Sequence, residues 1–342
     1  MCLMLWSEEN YVNKIDELQH HKELMQYLKN INKDNLPNMY FYGKKGSGKN
    51  TLIKLLLCHI FGKNAYKLSP VKYPLSDIYF FKNQFYYYID ITLLGKKPYN
   101  IFSEFIQQII NTKSVMNYHH VFIITNVEYI NIQIIKYIKH CLDRKNSTSR
   151  FIFISNSLEK TKISNILNSF CFSIKIDFLN NKEIVSILKT ISNKKNINIK
   201  SKTLNFIAEL SKNNLTKALF YLQLRTNNVN EFKKYIKKHN KVYNTLYKLV
   251  TNKNIKNIVK IRENIYKIII KNIDIYNFIR EFVHYLIDKI GFNNIDIIQN
   301  ILHISSKTTK NLNHTSKEII TLEGFFIKLM TINWSELSES NL

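Results

Sequence analysis

Nine residues, Gly43-Lys44-Lys45-Gly46-Ser47-Gly48-Lys49-Asn50-Thr51, limit what this chain can be more than any other stretch. They follow an apolar run, Asn38-Met39-Tyr40-Phe41-Tyr42, and open a Leu-rich segment from Lys49 to Phe61 that Gly62 closes. Strand, glycine turn and helix in that order nearly match the phosphate-loop pattern GxxxxGK[ST]. Glycines let consecutive backbone N–H groups turn inward as an anion nest, and the helix N-terminus adds positive potential. Lys49 then reaches the β- and γ-phosphates, so ATP or ADP is the expected cofactor.

The loop departs from its pattern at one position. A Ser or Thr hydroxyl should follow the lysine and bind Mg²⁺, and Asn50 stands there instead. Thr51 is one residue further along, about 100° around the helix. An amide oxygen leaves at best a weak magnesium site. An ATPase also needs an apolar strand ending in acids, one to hold the metal and often a second to polarise water. Here Val121-Phe122-Ile123-Ile124 runs into Thr125-Asn126-Val127-Glu128. Thr125 and Asn126 carry no charge, and Glu128 arrives two residues late, as a surface acid or as an irregularly placed base. Intrinsic hydrolysis is therefore not expected.

The surrounding pattern is an α/β unit followed by helices. Apolar strands are expected at 38–42, 85–92, 121–125, 151–155 and 172–178, separated by helices at 14–31, 49–61, 101–112 and 131–143. Short apolar strands alternating with helices imply a parallel sheet covered on both faces. From 180 onward the strands stop, with helices expected at 182–194, 201–212 and 215–225. A polar, basic stretch at 227–241 then leads into a second all-helical block reaching about Trp334. The expected domains are 1–179 (P-loop), 180–235 (helical lid) and 236–342 (helical collar).

Composition limits the partners. Lys and Arg number 50 against 25 Asp and Glu, a formal charge of +25 that attracts polyanions, nucleic acid first. Heavy use of Lys, Asn, Ile and Tyr beside scarce Gly and Pro also fits compositional drift, so the charge alone does not establish DNA binding. Cys2, Cys58, Cys141 and Cys171 form no CxxC pair, which argues against structural zinc and for a reducing compartment. No apolar run approaches the roughly 20 residues of a membrane span, and MCLMLWSEEN lacks the basic start of a secretory signal.

The order of Leu5-Trp6, His21, GKKGSGKNT, Thr125-Asn126-Val127-Glu128, Ser155-Asn156-Ser157 and Asn214-Leu215-Thr216-Lys217-Ala218-Leu219 resembles the replication factor C small subunits. These are AAA+ proteins that load the ring-shaped sliding clamp. The segment Ser316 to Met330 resembles the last collar helix of one such subunit in particular, the one with a non-hydroxyl residue after the P-loop lysine. The resemblance covers most of the chain and is weakest at about 62–100 and 226–300. It implies an AAA+ P-loop domain, a lid and an oligomerising collar.

It also implies specific losses. The family's adenine-side Tyr-Arg-Pro falls on Asn10-Tyr11-Val12, and its arginine finger falls on Phe170 within Ser169-Phe170-Cys171. The lid arginine falls on Thr216. Asn156 keeps the first-sensor position, where it is either a γ-phosphate sensor or a strand-end amide satisfying backbone. The implied partners are the other subunits of a hetero-pentamer, the sliding clamp PCNA and primed double-stranded DNA, in the nucleus and with no membrane. DNA contact would come from Lys136, Lys139 and His140, unless these merely line a solvated helix face.

Two segments carry open alternatives. Phe85-Tyr86-Tyr87-Tyr88 is either a base-stacking platform or a buried strand flank, and Ile101 to Ile106 either contacts a clamp or covers the sheet. The collar helices are apolar enough to need lateral partners, so the isolated chain is expected to self-associate. The competing functions are a weakly active P-loop ATPase and an autonomous DNA-binding AAA+ protein. The zinc module usual in bacterial loaders and the winged helix usual in initiators find no counterpart in this sequence.

Overall fold

In a computed structural model, the described residues are 5–7, 18, 21–62, 65, 67–72, 78–95, 98–112, 119–143, 149–157, 162–270, 274–291, 294–312 and 318–334. The chain divides into two compact units, Met1–Asn227 and Asn228–Leu342.

The first unit is built on a seven-stranded sheet. Its strands are β1 (Met39–Tyr42), β2 (Ser69–Lys72), β3 (Tyr79–Lys82), β4 (Tyr86–Asp90), β5 (His120–Thr125), β6 (Ser149–Ser155) and β7 (Phe172–Lys175), in the order β2-β3-β4-β5-β6-β1-β7. Strands β4 to β7 and β1 are mutually parallel, whereas β2 and β3 add an antiparallel edge. Alternation decides which residues face which layer. Met39, Phe41, Val121, Ile123, Ile152 and Ile154 pack on one face, with residues of α1 (Lys22–Lys29) and α2 (Lys49–Phe61). Tyr40, Phe122, Ile124, Phe151 and Phe153 pack on the other, with α3 (Pro98–Ile110), α4 (Ile132–Asp143) and α5 (Lys162–Phe170). This is the doubly covered α/β architecture expected from the sequence, with phosphate loop and strand ends on one edge.

Three helices complete the unit: α6 (Asn181–Lys194), α7 (Ser201–Ser211) and α8 (Leu215–Asn227). The start of α6 is set by a capping box in which Asn180 and Glu183 satisfy each other's backbone N–H groups.

The second unit is all helix, with α9 (Val229–Thr251), α10 (Asn257–Ile270), α11 (Ile275–Ile290), α12 (Ile295–Leu312) and α13 (Glu318–Met330). An aromatic core of Tyr243, Phe278, Phe282, Phe325, Phe326 and Trp334 holds it together. Within the polar stretch at 227–241, expected to separate domains near 235, α9 runs unbroken from Val229, and the two units divide between Asn227 and Asn228 instead. Asn228 caps the helix by accepting from Asn230 N (2.9 Å) and Glu231 N (3.2 Å), and Lys and Glu are good helix formers whatever their polarity.

Candidate nucleotide-binding site

The loop between β1 and α2 is shaped by what its glycines exclude. A Cβ on Gly43 would lie 2.3 Å from the Ile176 carbonyl oxygen, because Ile176 continues the β7 pairing by donating to Tyr42 O (2.8 Å). Gly48 enters α2 at φ +90°, a conformation that a side chain would strain. Lys49 is 4% exposed. Its ammonium donates to Gly43 O (2.7 Å) and Lys44 O (2.8 Å), with Ser47 Oγ at 3.5 Å. Burial pushes its amine down to about 8, against an opposing pull from Glu128. A cation held out of water beside the orphan N–H groups of a helix start is a fit for anionic phosphate. Asn50 and Thr51 are exposed on the first turn of α2.

The neighbouring strand ends are joined by side chains. Asn126, at φ +57°, donates through Nδ2 to both oxygens of Asp90 (2.9 and 3.0 Å). Asp90 also accepts from Thr92 N (2.9 Å) and Thr92 Oγ1 (2.6 Å). Asn156 donates through Nδ2 to Asn126 Oδ1 (3.1 Å) and Glu128 Oε1 (3.2 Å), and through its backbone N–H to Glu128 Oε2 (3.1 Å). Ser155 Oγ donates to the same Oε2 (3.1 Å), and Thr125 Oγ1 lies 3.5 Å from Ile89 O within the buried strand end. Glu128 is thus not a free surface acid. Its two oxygens already receive three donor groups from the end of β6. Asp90 escaped the sequence reading. The available signal was an acid ending the strand beside the one read for acidic residues, and strand carboxyl ends are where ligands gather in open α/β sheets. Among the described residues no three His, Cys, Asp or Glu side chains group as metal ligands.

The start of α8 reaches this loop directly. Leu215 N donates to Gly46 O (3.0 Å), and Asn214 Nδ2 donates to Lys45 O (3.1 Å). Thr216 is exposed on the first turn of α8. Trp6 N donates to Gln223 Oε1 of α8 (3.0 Å), with Lys195 Nζ 4.6 Å above the Trp6 ring. Asn10-Tyr11-Val12 lie outside the described residues. His21, at φ +55° ahead of α1, has its imidazole lowered by burial against the pull of Glu183 and Asp177.

The remaining candidates fall elsewhere. Phe170 is half-buried and meets Phe153 edge-on at 6.3 Å, anchored in the core rather than extended from it. Lys136, Lys139 and His140 are exposed on α4, whose buried side is Ile134, Ile135 and Ile138. Lys136 and His140 border an open groove of about 770 Å³ between α3 and α4. The aromatic stretch before Asp90 is core: Tyr86 is 3% exposed, Phe85 stacks on Phe61 at 5.2 Å and Tyr87 on Phe122 at 5.6 Å. Phe102, Phe105 and Ile106 of α3 are likewise buried on the sheet.

The chain is similar to several known proteins. Residues 239–337, nearly all of the helical second unit, match the family described as replication factor C subunit 3, C-terminal domain. A protein named as a replication factor C small subunit, L478 of Acanthamoeba polyphaga mimivirus, is 26% identical over 340 residues, covering 96% of this chain and 90% of that protein. Replication factor C subunit 3 of Arabidopsis thaliana is 22% identical, covering 96% of this chain and 97% of its own length. Among solved structures, the RuvB Holliday junction branch migration motor of Thermotoga maritima superposes with a TM-score of 0.46 at 12% identity, over 66% of this chain and 67% of that one. The chain is thus similar to replication factor C small subunits along nearly its whole length, and its second unit matches the C-terminal domain described for replication factor C subunit 3.

Proposed function

We propose that this chain is a non-catalytic small subunit of a clamp loader. It holds a nucleotide without hydrolysing it and serves the ATP-driven loading of PCNA onto primed DNA in the nucleus. The observation that carries the non-catalytic reading is the strand-end network. The two strand-end carboxylates, Asp90 and Glu128, are already occupied by amide, hydroxyl or backbone donors. A general base must accept a proton from water within hydrogen-bond reach, and these oxygens are engaged in holding strand ends together. The phosphate cradle itself keeps its lysine and glycines, which supports ADP or ATP as a bound ligand with magnesium held weakly. Phe170, packed against Phe153, offers no charge to a neighbouring site.

Assembly into a hetero-pentamer is supported by the collar. Ile255 (81% exposed), Val259 (61%), Tyr266 (45%) and Ile270 (80%) recur at spacings that place them on one side of α10 and its leading turn. Such an apolar stripe marks a protein contact. DNA would meet Lys136, Lys139 and His140 through its phosphates, by charge rather than by base sequence.

The test is co-purification with other replication factor C subunits, nucleotide extraction from the complex, and turnover by the isolated chain. Partners and extracted ADP or ATP, with no turnover, are expected. Turnover abolished by Lys49→Ala would instead make the chain an ATPase, and absence of partners would remove the loader assignment.

A further inference from the structure

In the phosphate loop, four consecutive carbonyl oxygens have donors. Those of Gly43 and Lys44 take the Lys49 ammonium, and those of Lys45 and Gly46 take the first residues of the lid helix α8. Asn214 is central to the second pair. Its Oδ1 accepts from Lys217 N (3.0 Å) and so caps α8, while its Nδ2 donates to Lys45 O (3.1 Å). The same amide fills the space beside Gly46, where a Cβ would come within 2.1 Å of Asn214 Oδ1. The backbone N–H of Leu215, one of the orphan donors of a helix start, goes to Gly46 O (3.0 Å).

We infer that Asn214 is a positioning residue for the phosphate loop, fastening the lid to it through the loop's own carbonyls rather than through a charge on the nucleotide. A trans peptide points its C=O and N–H in opposite directions. Anchoring Lys45 C=O on the lid therefore turns the Gly46 N–H away from the lid, and anchoring Gly46 C=O does the same for Ser47. Ser47 N–H then closes the turn on Lys44 O (3.3 Å). Loop shape and lid position become one variable. A nucleotide that needs the loop in this shape favours the docked lid, and a docked lid favours the nucleotide, by the same factor. Thr216, exposed one turn-position on, needs to make no phosphate contact for this coupling to work.

The inference rests on the chain holding a nucleotide, and the experiment separates the two. Asn214→Ser keeps a capping oxygen but is too short to reach Lys45 O. Leu215→Pro removes the N–H given to Gly46 O at a position, the first of a helix, where proline is well accepted. ADP affinity of the full chain is measured by calorimetry, with melting of the ADP-free protein as the folding control. Backbone hydrogen exchange of residues 215–218 is followed with and without ADP. Expected is a loss of ADP affinity of about tenfold in each variant at unchanged ADP-free melting. ADP should also slow exchange at the start of α8 in the wild type but not in the variants. Wild-type protein that binds ADP while both variants bind it equally well overturns this inference alone. ADP leaving exchange at α8 unchanged in the wild type does the same. Wild-type protein that takes no nucleotide overturns the nucleotide-holding reading and this inference with it.

Discussion

A lysine buried to 4% exposure is costly unless something negative comes to meet it, and Lys49 has carbonyl and hydroxyl oxygens as its hydrogen-bond partners, with the pull of Glu128 too weak to offset its burial. Its amine sits at about 8 because burial disfavours the charged form. Bound phosphate would favour that form again, so above about pH 8 nucleotide binding must take up a proton. Affinity for ADP is therefore expected to be full below pH 8 and to fall by up to about tenfold per pH unit above it, as calorimetry at pH 7 and pH 9 would show. Glu128 makes the opposite kind of prediction. Replacing it with alanine strands Ser155 Oγ and two Asn156 donors, so Glu128→Ala should cost about 1–3 kcal/mol in denaturant unfolding. ATP turnover should not change. A drop in turnover with stability intact would mean that Glu128 is a base after all. Asn50, Thr125 and Asn126 were legible as wrong residues in a known pattern. Asp90 was not, because its part depends on the register that sets it opposite Thr125, and register is a property of two strands rather than one.

Among the secondary-structure elements, legibility followed the strength of the repeat. The buried parallel strands and α2, α3 and α4 could be read because their apolar residues recur without interruption. The hairpin of β2 and β3 could not: each strand has four residues, β2 contains Pro70, and most of its residues face solvent. Helix α9 was hidden for a different reason. Its N-terminal part is too polar to show periodicity, and it is helical through propensity and the Asn228 cap. On α4 the pattern separates cleanly, with three isoleucines inward and Lys136, Lys139 and His140 outward. If that outer face lies on a DNA backbone, Lys139→Glu should weaken DNA binding of the assembled complex regardless of sequence. The slope of log affinity against log salt should also fall by about one. An unchanged salt slope would leave α4 as a solvated face.

For the molecule as a whole, a charge of +25 keeps surfaces apart, whereas the proposed assembly needs the second unit to make contact. The stripe on α10 should therefore matter for assembly and little for folding. Val259→Glu and Ile270→Glu, both at exposed positions, are expected to leave the melting temperature nearly unchanged while abolishing co-purification with partner subunits. Retained partners would move the interface elsewhere on the collar. The sheet's outer hairpin bears on the same question from another side. A bare strand edge is an open template on which a second chain can zip its own backbone, and growth of that kind has no natural end. Strand β2 closes the template early, being only four residues long, with Pro70 unable to offer an N–H and Lys72 adding charge at its end. Whatever copies or partners this protein gathers, the β2 border of its sheet is a poor place for them to add strands, and a contact between helices can be finite where a ladder of backbones cannot.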